Sequence, residues 1–181
     1  MKTAVFFERD GVLNHVETVG TQQVVPKCLA DFRVNVAARP WLERLKQAGH
    51  RLIVTTNQPG LSRGYLARRE LELMHTVLRR ALPVDDVLVC PHDELDDCPC
   101  RKPAPGLLTE AAFQHQLNLE QSFVVSDKWQ DAKAAEQVGA VSLLLRSPWN
   151  GQCHHDFILP DLAAVTEKIL SWNRQRQWAG R

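Results

Sequence analysis

Short apolar runs recur along the chain, and most are followed by a polar stretch and then by apolar residues at helical spacing. The first run, Ala4 to Phe7, is rich in β-formers and breaks into Glu8-Arg9-Asp10-Gly11, as a buried strand does on emerging into a polar loop. Leu13 to Val36 is polar and without period, and reads as an irregular segment beside the site. Pro40 starts a helix in which Trp41, Leu42, Leu45 and Ala48 share a face, with Gly49 as its left-handed cap. Arg51 to Thr56 reads as a second strand and Asn57-Gln58-Pro59-Gly60 as a turn. Arg68 to Leu82 places Leu71, Met74, Leu78 and Ala81 on one helical face, and Pro83 stops it. Val87-Leu88-Val89 is a third strand, Cys90 to Pro105 a loop, Gly106 to Gln116 a helix and Phe123-Val124-Val125 a fourth strand. An alanine-rich helix follows from Gln130 to Val138 and Gly139 ends it. Val141 to Leu145 is a fifth strand, Phe157-Ile158-Leu159 a sixth at an edge, and Leu162, Val165, Ile169 and Trp172 mark a last amphipathic helix. Asn173 to Arg181 reads as a frayed tail. The pattern predicts one α/β domain over residues 1–172, a mostly parallel sheet with helices on both faces and polar residues gathered after the strands.

Composition narrows the class. The 181 residues, 44% hydrophobic and 24% charged, suit one domain with a sizeable core. A formal net charge of +1 argues against nucleic acid or an anionic membrane as partner. The N-terminal apolar run is too short for a signal peptide or membrane span, so a cytoplasmic location is the expectation. In that reducing compartment Cys28, Cys90, Cys98, Cys100 and Cys153 are expected as thiols or metal ligands.

Glu8 and Asp10, at i and i+2 beyond a strand end, can point into one crevice and hold a hard cation such as Mg²⁺; alone they would read as a solvated turn. Cys90, His92, Cys98 and Cys100 match the closed tetrahedral complement of structural Zn²⁺, against the alternative of unligated thiols in a flexible loop. Four protein ligands leave no open position, so the metal is expected to staple the loop and not to activate water. Arg101 and Lys102, fixed between that cage and Pro103, would suit a bound phosphate, whereas isolated they would be ordinary surface cations. Thr56 at the end of the second strand offers a hydroxyl to phosphate, or is simply a strand residue. Asp127 is a further carboxylate or a helix N-cap, and Asp131 is a first-turn acid of similar ambiguity. Cys153, His154 and His155 form an incomplete ligand set and read as an exposed polar turn.

The order Phe-Phe-Glu-Arg-Asp-Gly, Val-Thr-Thr-Asn-Gln, Cys-Pro-His to Cys-Pro-Cys-Arg-Lys-Pro, then Ser-Asp-Lys with Asp131, resembles the haloacid dehalogenase (HAD) superfamily. Within it the match is to the branch of heptose bisphosphate and histidinol phosphate phosphatases, and Gly60-Leu61-Ser62-Arg63-Gly64-Tyr65 favours the heptose side. The resemblance covers Val5 to about Leu145. It implies a Rossmann-like sheet without a large cap domain, with the zinc loop and the Leu13 to Val36 loop shaping the pocket. It implies Asp10 as general acid and then base, Thr56 as the phosphate-binding hydroxyl, and Lys102 as the cation that neutralises the phosphoryl group and steadies the nucleophile. Glu8, the Asp10 carbonyl and Asp127 would hold Mg²⁺, with Asn57, Arg101 and Lys128 as further substrate contacts.

One position departs from that pattern: the family's nucleophile is aspartate, and this chain has Glu8. The extra methylene moves the carboxylate by ~1.5 Å, and misplacement of about 1 Å can cost on the order of 10²-fold in rate. The expectation is a Mg²⁺-dependent, zinc-containing phosphatase of a small phosphorylated metabolite, foremost a sugar phosphate such as D-glycero-D-manno-heptose 1,7-bisphosphate. Histidinol phosphate is the alternative substrate, and a phosphometabolite-binding pseudoenzyme is the alternative class.

Overall fold

A computed structural model describes residues 2–179 of the backbone and side chains through residue 172. The central sheet is built from β1 (Ala4–Phe7), β6 (Arg51–Asn57), β7 (Asp86–Cys90), β8 (Phe123–Ser126), β9 (Val141–Leu145) and β10 (Phe157–Leu159), in the order β10-β9-β8-β1-β6-β7. Every pair in it is parallel, so the expected mostly parallel sheet is fully so. Parallel neighbours need crossovers, and α1 (Arg39–Gln47), α2 (Arg68–Ala81), α3 (Gly106–His115) and α4 (Trp129–Gln137) supply them from β1 through β9, while α5 (Leu162–Ala179) follows the last strand.

Strand alternation divides the core in two. Val5 and Phe7 of β1 face Leu42 and Leu45 of α1, Met74 and Leu78 of α2, and Val165 and Ile169 of α5. Ala4 and Phe6 face Leu107, Leu108 and Ala111 of α3 with Ala134 and Ala135 of α4. The alanines of α4 let it lie close on β8 and β9, while bulkier side chains fill the opposite layer. Gly49 and Gly139 take φ of +91° and +69° just beyond α1 and α4, as left-handed caps do.

Two expectations need correction. The segment from Leu13 to Val36 is not irregular throughout. It holds a short pair, β2 (Asn14–His15) with β5 (Arg33–Val34), and a hairpin of β3 (Glu17–Val19) and β4 (Gln22–Val24), both antiparallel. Only three of the six hairpin positions are hydrophobic or threonine, and none is buried, so no alternation advertises them. The expected tail from Asn173 is helical as far as Ala179, because α5 carries on without a breaker; the last two positions lie outside the described residues.

Candidate active site

Four strands deliver the chemistry at their C-terminal ends, beside one another. β1 ends at Glu8, Arg9 and Asp10; β6 ends at Thr56 and Asn57; the loop after β7 returns with Arg101 and Lys102; β8 ends at Asp127 and Lys128. A cavity of about 210 Å³ opens there, lined by Glu8, Asp10, Asn57, Arg101, Lys102 and Lys128 among others. Gly11 turns the chain away from Asp10 with φ +91°, and a Cβ at that position would run into Asp127 Oδ2.

Lys102 is the hub. Its ammonium donates to Glu8 Oε2 at 2.5 Å, to Asp131 Oδ1 at 2.6 Å and to the Thr55 carbonyl at 2.9 Å, with only 4% of the residue exposed. Burial alone would lower its pKa, but Asp131 and Glu8 outweigh that and hold it above the usual lysine value. Asp131 also accepts from Ser126 Oγ at 2.9 Å. Burial, opposed by Lys102 and reinforced by the Glu8 charge, lifts its carboxyl to about 6. Asp131, ambiguous in the sequence between a first-turn acid and a companion of Ser-Asp-Lys, lines the cavity.

Glu8 is buried and both its oxygens are engaged. Oε2 meets Lys102, while Oε1 turns back to accept the backbone N–H of Arg9 at 2.7 Å and of Asp10 at 3.3 Å. Burial pushes this carboxyl up, but Lys102, Lys128 and the Thr56 hydroxyl together overcome it and leave the group at about 2, so it is ionised near neutrality. The Asp10 side chain is held from two sides. The Arg9 guanidinium forks onto it with N–O distances of 2.9 to 3.2 Å, and Gln58 Nε2 donates to Oδ2 at 2.8 Å and to Thr56 Oγ1 at 2.9 Å.

Asn57 lines the cavity and also braces the loop opposite. Its Nδ2 donates to the Lys102 carbonyl and its Oδ1 accepts the Lys102 N–H, both at 3.1 Å, so its amide fixes the backbone that carries Lys102. Arg101 lines the cavity and ties itself to the His92 carbonyl at 3.1 Å and to the Glu94 carboxylate, which Arg63 also grips.

Two metal sites can be tested against this geometry. Lys128 Nζ donates to the Asp10 carbonyl at 2.6 Å and to Asp127 Oδ1 at 2.9 Å, which shows a cation accommodated between those oxygens. With Glu8 they make an all-oxygen donor set of two carboxylates and a carbonyl, which fits Mg²⁺. Cys90, His92, Cys98 and Cys100 have their ligand atoms within 4.8 Å of one another. Neighbouring separations run from 3.3 Å (His92 Nδ1 to Cys100 Sγ) to 3.7 Å (Cys90 Sγ to His92 Nδ1). A tetrahedron with Zn–S of about 2.3 Å has S–S edges of about 3.8 Å, so the cluster has the size of a zinc cage.

Support for Asp127 comes from residues with no motif. Ser147 Oγ and Asn150 Nδ2 both donate to its carbonyl, Trp149 Nε1 holds the hairpin through Thr21 O at 2.9 Å, and Gln23 Nε2 reaches Asp127 Oδ2 at 2.5 Å. Cys153 and His155 lie in the turn beyond and bond to backbone carbonyls, Cys153 to those of Trp129 and Asn150 and His155 to that of Cys153, away from the cavity lining. No helix among the described residues is long and apolar enough to cross a membrane.

Comparison with known proteins bears on this arrangement. Residues 99–165 match the HAD-hydrolase-like family. A D-glycero-β-D-manno-heptose-1,7-bisphosphate 7-phosphatase of Helicobacter pylori is 33% identical over 153 residues, covering 80% of this chain and 85% of its own. The enzyme of the same name from Pseudomonas putida is 32% identical over 177 residues, covering 92% and 98%. The crystal structure of the D,D-heptose 1,7-bisphosphate phosphatase of B. bronchiseptica with magnesium and phosphate superposes with a TM-score of 0.78 at 29% identity, covering 94% of this chain and 99% of that one.

Proposed function

Because the chain belongs to the HAD superfamily, in the family of the heptose-1,7-bisphosphate 7-phosphatases, we propose that it is a Mg²⁺-dependent phosphatase of a sugar bisphosphate such as D-glycero-D-manno-heptose 1,7-bisphosphate. The observation that carries the reading is the convergence of Glu8, Asp10, Lys102 and Lys128 on one cavity at the strand ends. Glu8 stands where the family has its nucleophile. Its carboxylate would attack phosphorus as the bond to the sugar oxygen breaks, and Asp10 would give that oxygen a proton. Asp10 would then take a proton from water as the water attacks phosphorus, releasing phosphate and freeing Glu8. Lys102 keeps Glu8 anionic and oriented. Arg101 and Lys128 border the cavity as cations for phosphoryl oxygens, and the Thr56 hydroxyl stays against Glu8. Mg²⁺, held by Glu8, the Asp10 carbonyl and Asp127, would supply charge neutralisation for the transferred group. Zn²⁺ on Cys90, His92, Cys98 and Cys100 would be structural, fixing the loop that presents Arg101 and Lys102.

A second reading has one observation in its favour. Both Glu8 oxygens are already engaged, Oε1 by backbone amides and Oε2 by Lys102, as suits a protein that binds a phosphometabolite without turning it over. Phosphate release from a panel of sugar mono- and bisphosphates and histidinol phosphate, with and without Mg²⁺, separates the two. Metal-dependent release fastest on a heptose bisphosphate supports the phosphatase. Saturable binding with no release on any substrate defeats it.

A further inference from the structure

Arg9 heads the fully buried side chains by size among the described residues, yet it has no step of its own in the proposed reaction. Burying a guanidinium is costly unless its N–H groups are paired. Nε and Nη2 are paired by Asp10, and Nη1 meets Nε2 of His75 at 3.1 Å. Arginine cannot accept, so His75 Nε2 is the acceptor and the imidazole proton lies on Nδ1. Burial, with Arg9 and Arg79 adding to it, lowers the His75 pKa to about 3, which keeps the ring neutral and able to accept. The Phe32 ring lies 5.5 Å from Arg9 Cζ. The segment leading to Phe32 is itself tied to α2 by Glu70, which accepts the Leu29 N–H at 2.6 Å.

Arg9 and Asp10 are adjacent in sequence, so their ion pair alone could move as a unit. His75, in the middle of α2, fastens the far end of the guanidinium to a different element. The guanidinium is planar, so fixing Nη1 also fixes the plane in which Nε and Nη2 face the carboxylate. Gln58 closes the opposite side at Asp10 Oδ2.

We infer that His75 is a positioning residue: by holding Arg9 it sets the orientation of the Asp10 carboxylate for proton transfer. The inference rests on the acid–base role proposed for Asp10. A purely structural histidine would need only to fill its place on α2, and the two roles separate when volume is kept and the acceptor is varied. His75→Met keeps the bulk with only a weak acceptor, and His75→Gln restores an amide oxygen.

In steady-state phosphate release on the full-length protein, kcat is expected to fall about tenfold in His75→Met with KM within about twofold, and His75→Gln is expected to recover most of the loss. In parallel, side-chain ¹⁵N NMR of Arg9 should show Nη protons exchanging about tenfold faster with solvent in His75→Met than in wild type or His75→Gln. Equal impairment of the Met and Gln variants, or wild-type kcat and exchange in His75→Met, overturns the proposal. Should His75→Met not fold, His75→Ala with imidazole added back serves: recovery of kcat supports the proposal, and none overturns it. A wild-type protein that releases no phosphate defeats the phosphatase reading instead, and the exchange measurement then decides whether His75 holds Arg9.

Discussion

Replacing Glu8 with aspartate should make the protein faster. In the structure the glutamate reaches Lys102 at 2.5 Å with one oxygen and folds the other back onto the amides of Arg9 and Asp10. Removing a methylene withdraws the carboxylate by up to one C–C bond, ~1.5 Å. Lys102 cannot simply follow, since Thr55 O and Asp131 Oδ1 hold it at 2.9 and 2.6 Å. The Glu8–Lys102 separation would therefore widen from 2.5 Å to roughly 4 Å in the extreme case, within ion-pair range but no longer a close contact. An oxygen released from the backbone amides becomes free to face phosphorus and metal. If the glutamate is misplaced by about 1 Å, correcting it is worth on the order of 10²-fold, or about 2.7 kcal/mol of barrier. The assay is single-turnover phosphate release from one sugar phosphate at saturating Mg²⁺, so that weaker metal binding is not read as slower chemistry. Calorimetric titration should show Mg²⁺ bound more tightly by Glu8→Asp, and Glu8→Gln should show no turnover above background. A fast wild type that Glu8→Asp slows would refute the reasoning, because it would mean the surrounding loop has readjusted to glutamate.

Lys102→Met leaves two buried carboxylates facing each other, so near pH 7 it should lower stability by about 3–5 kcal/mol in urea unfolding, with Asp131→Asn recovering part of the loss; a change under about 0.5 kcal/mol would remove Lys102 from its hub. Cys98→Ala should abolish stoichiometric zinc by elemental analysis and weaken phosphate binding through Arg101 and Lys102; a zinc-free wild type would sink the cage. His75 has a folded-state pKa of about 3, below its unfolded value, so from about pH 6.5 downward the unfolded state gains a proton that the native state does not, and stability falls with pH by at most about 1.4 kcal/mol per unit. Asp131, raised to about 6, acts in the opposite sense as pH falls, and comparing wild type with His75→Gln cancels it: the variant's urea midpoint should decline less between pH 6.5 and 4.5, and parallel curves would contradict the shift.

What could be read from the chain alone followed local rules. The strand at Val141–Leu145 and the one at Phe157–Leu159 have the bounds their apolar runs suggest, and Cys90, His92, Cys98 and Cys100 stand together because their spacing already confines them. Asn57 follows β6 at a position right for phosphate and lines the cavity, but its second task, bracing the backbone of Lys102 45 residues on, depends on a tertiary approach that residue identity does not record. Arg9 reads as a charged turn residue until α2 brings His75 against it, 66 positions away. Ser147 and Asn150 carry no motif at all. Their role is to hydrogen-bond one carbonyl, and backbone carbonyls leave no trace in residue identity. The hairpin at Glu17 to Val24 was invisible because exposed polar strands lack the alternation that burial imposes.

The placement of the cage has a consequence for how the protein comes to life. All four candidate ligands lie between Cys90 and Cys100, so a bound zinc would close the knot over a short piece of chain and would need no ligand from beyond it. During synthesis it can tie off while β8, Asp127 and Asp131 have yet to leave the ribosome. Lys102 then waits on a stiffened loop for the carboxylate that will complete its pairing. With zinc in the cage, the loop that carries Lys102 would thus be ordered before its last carboxylate partner is made.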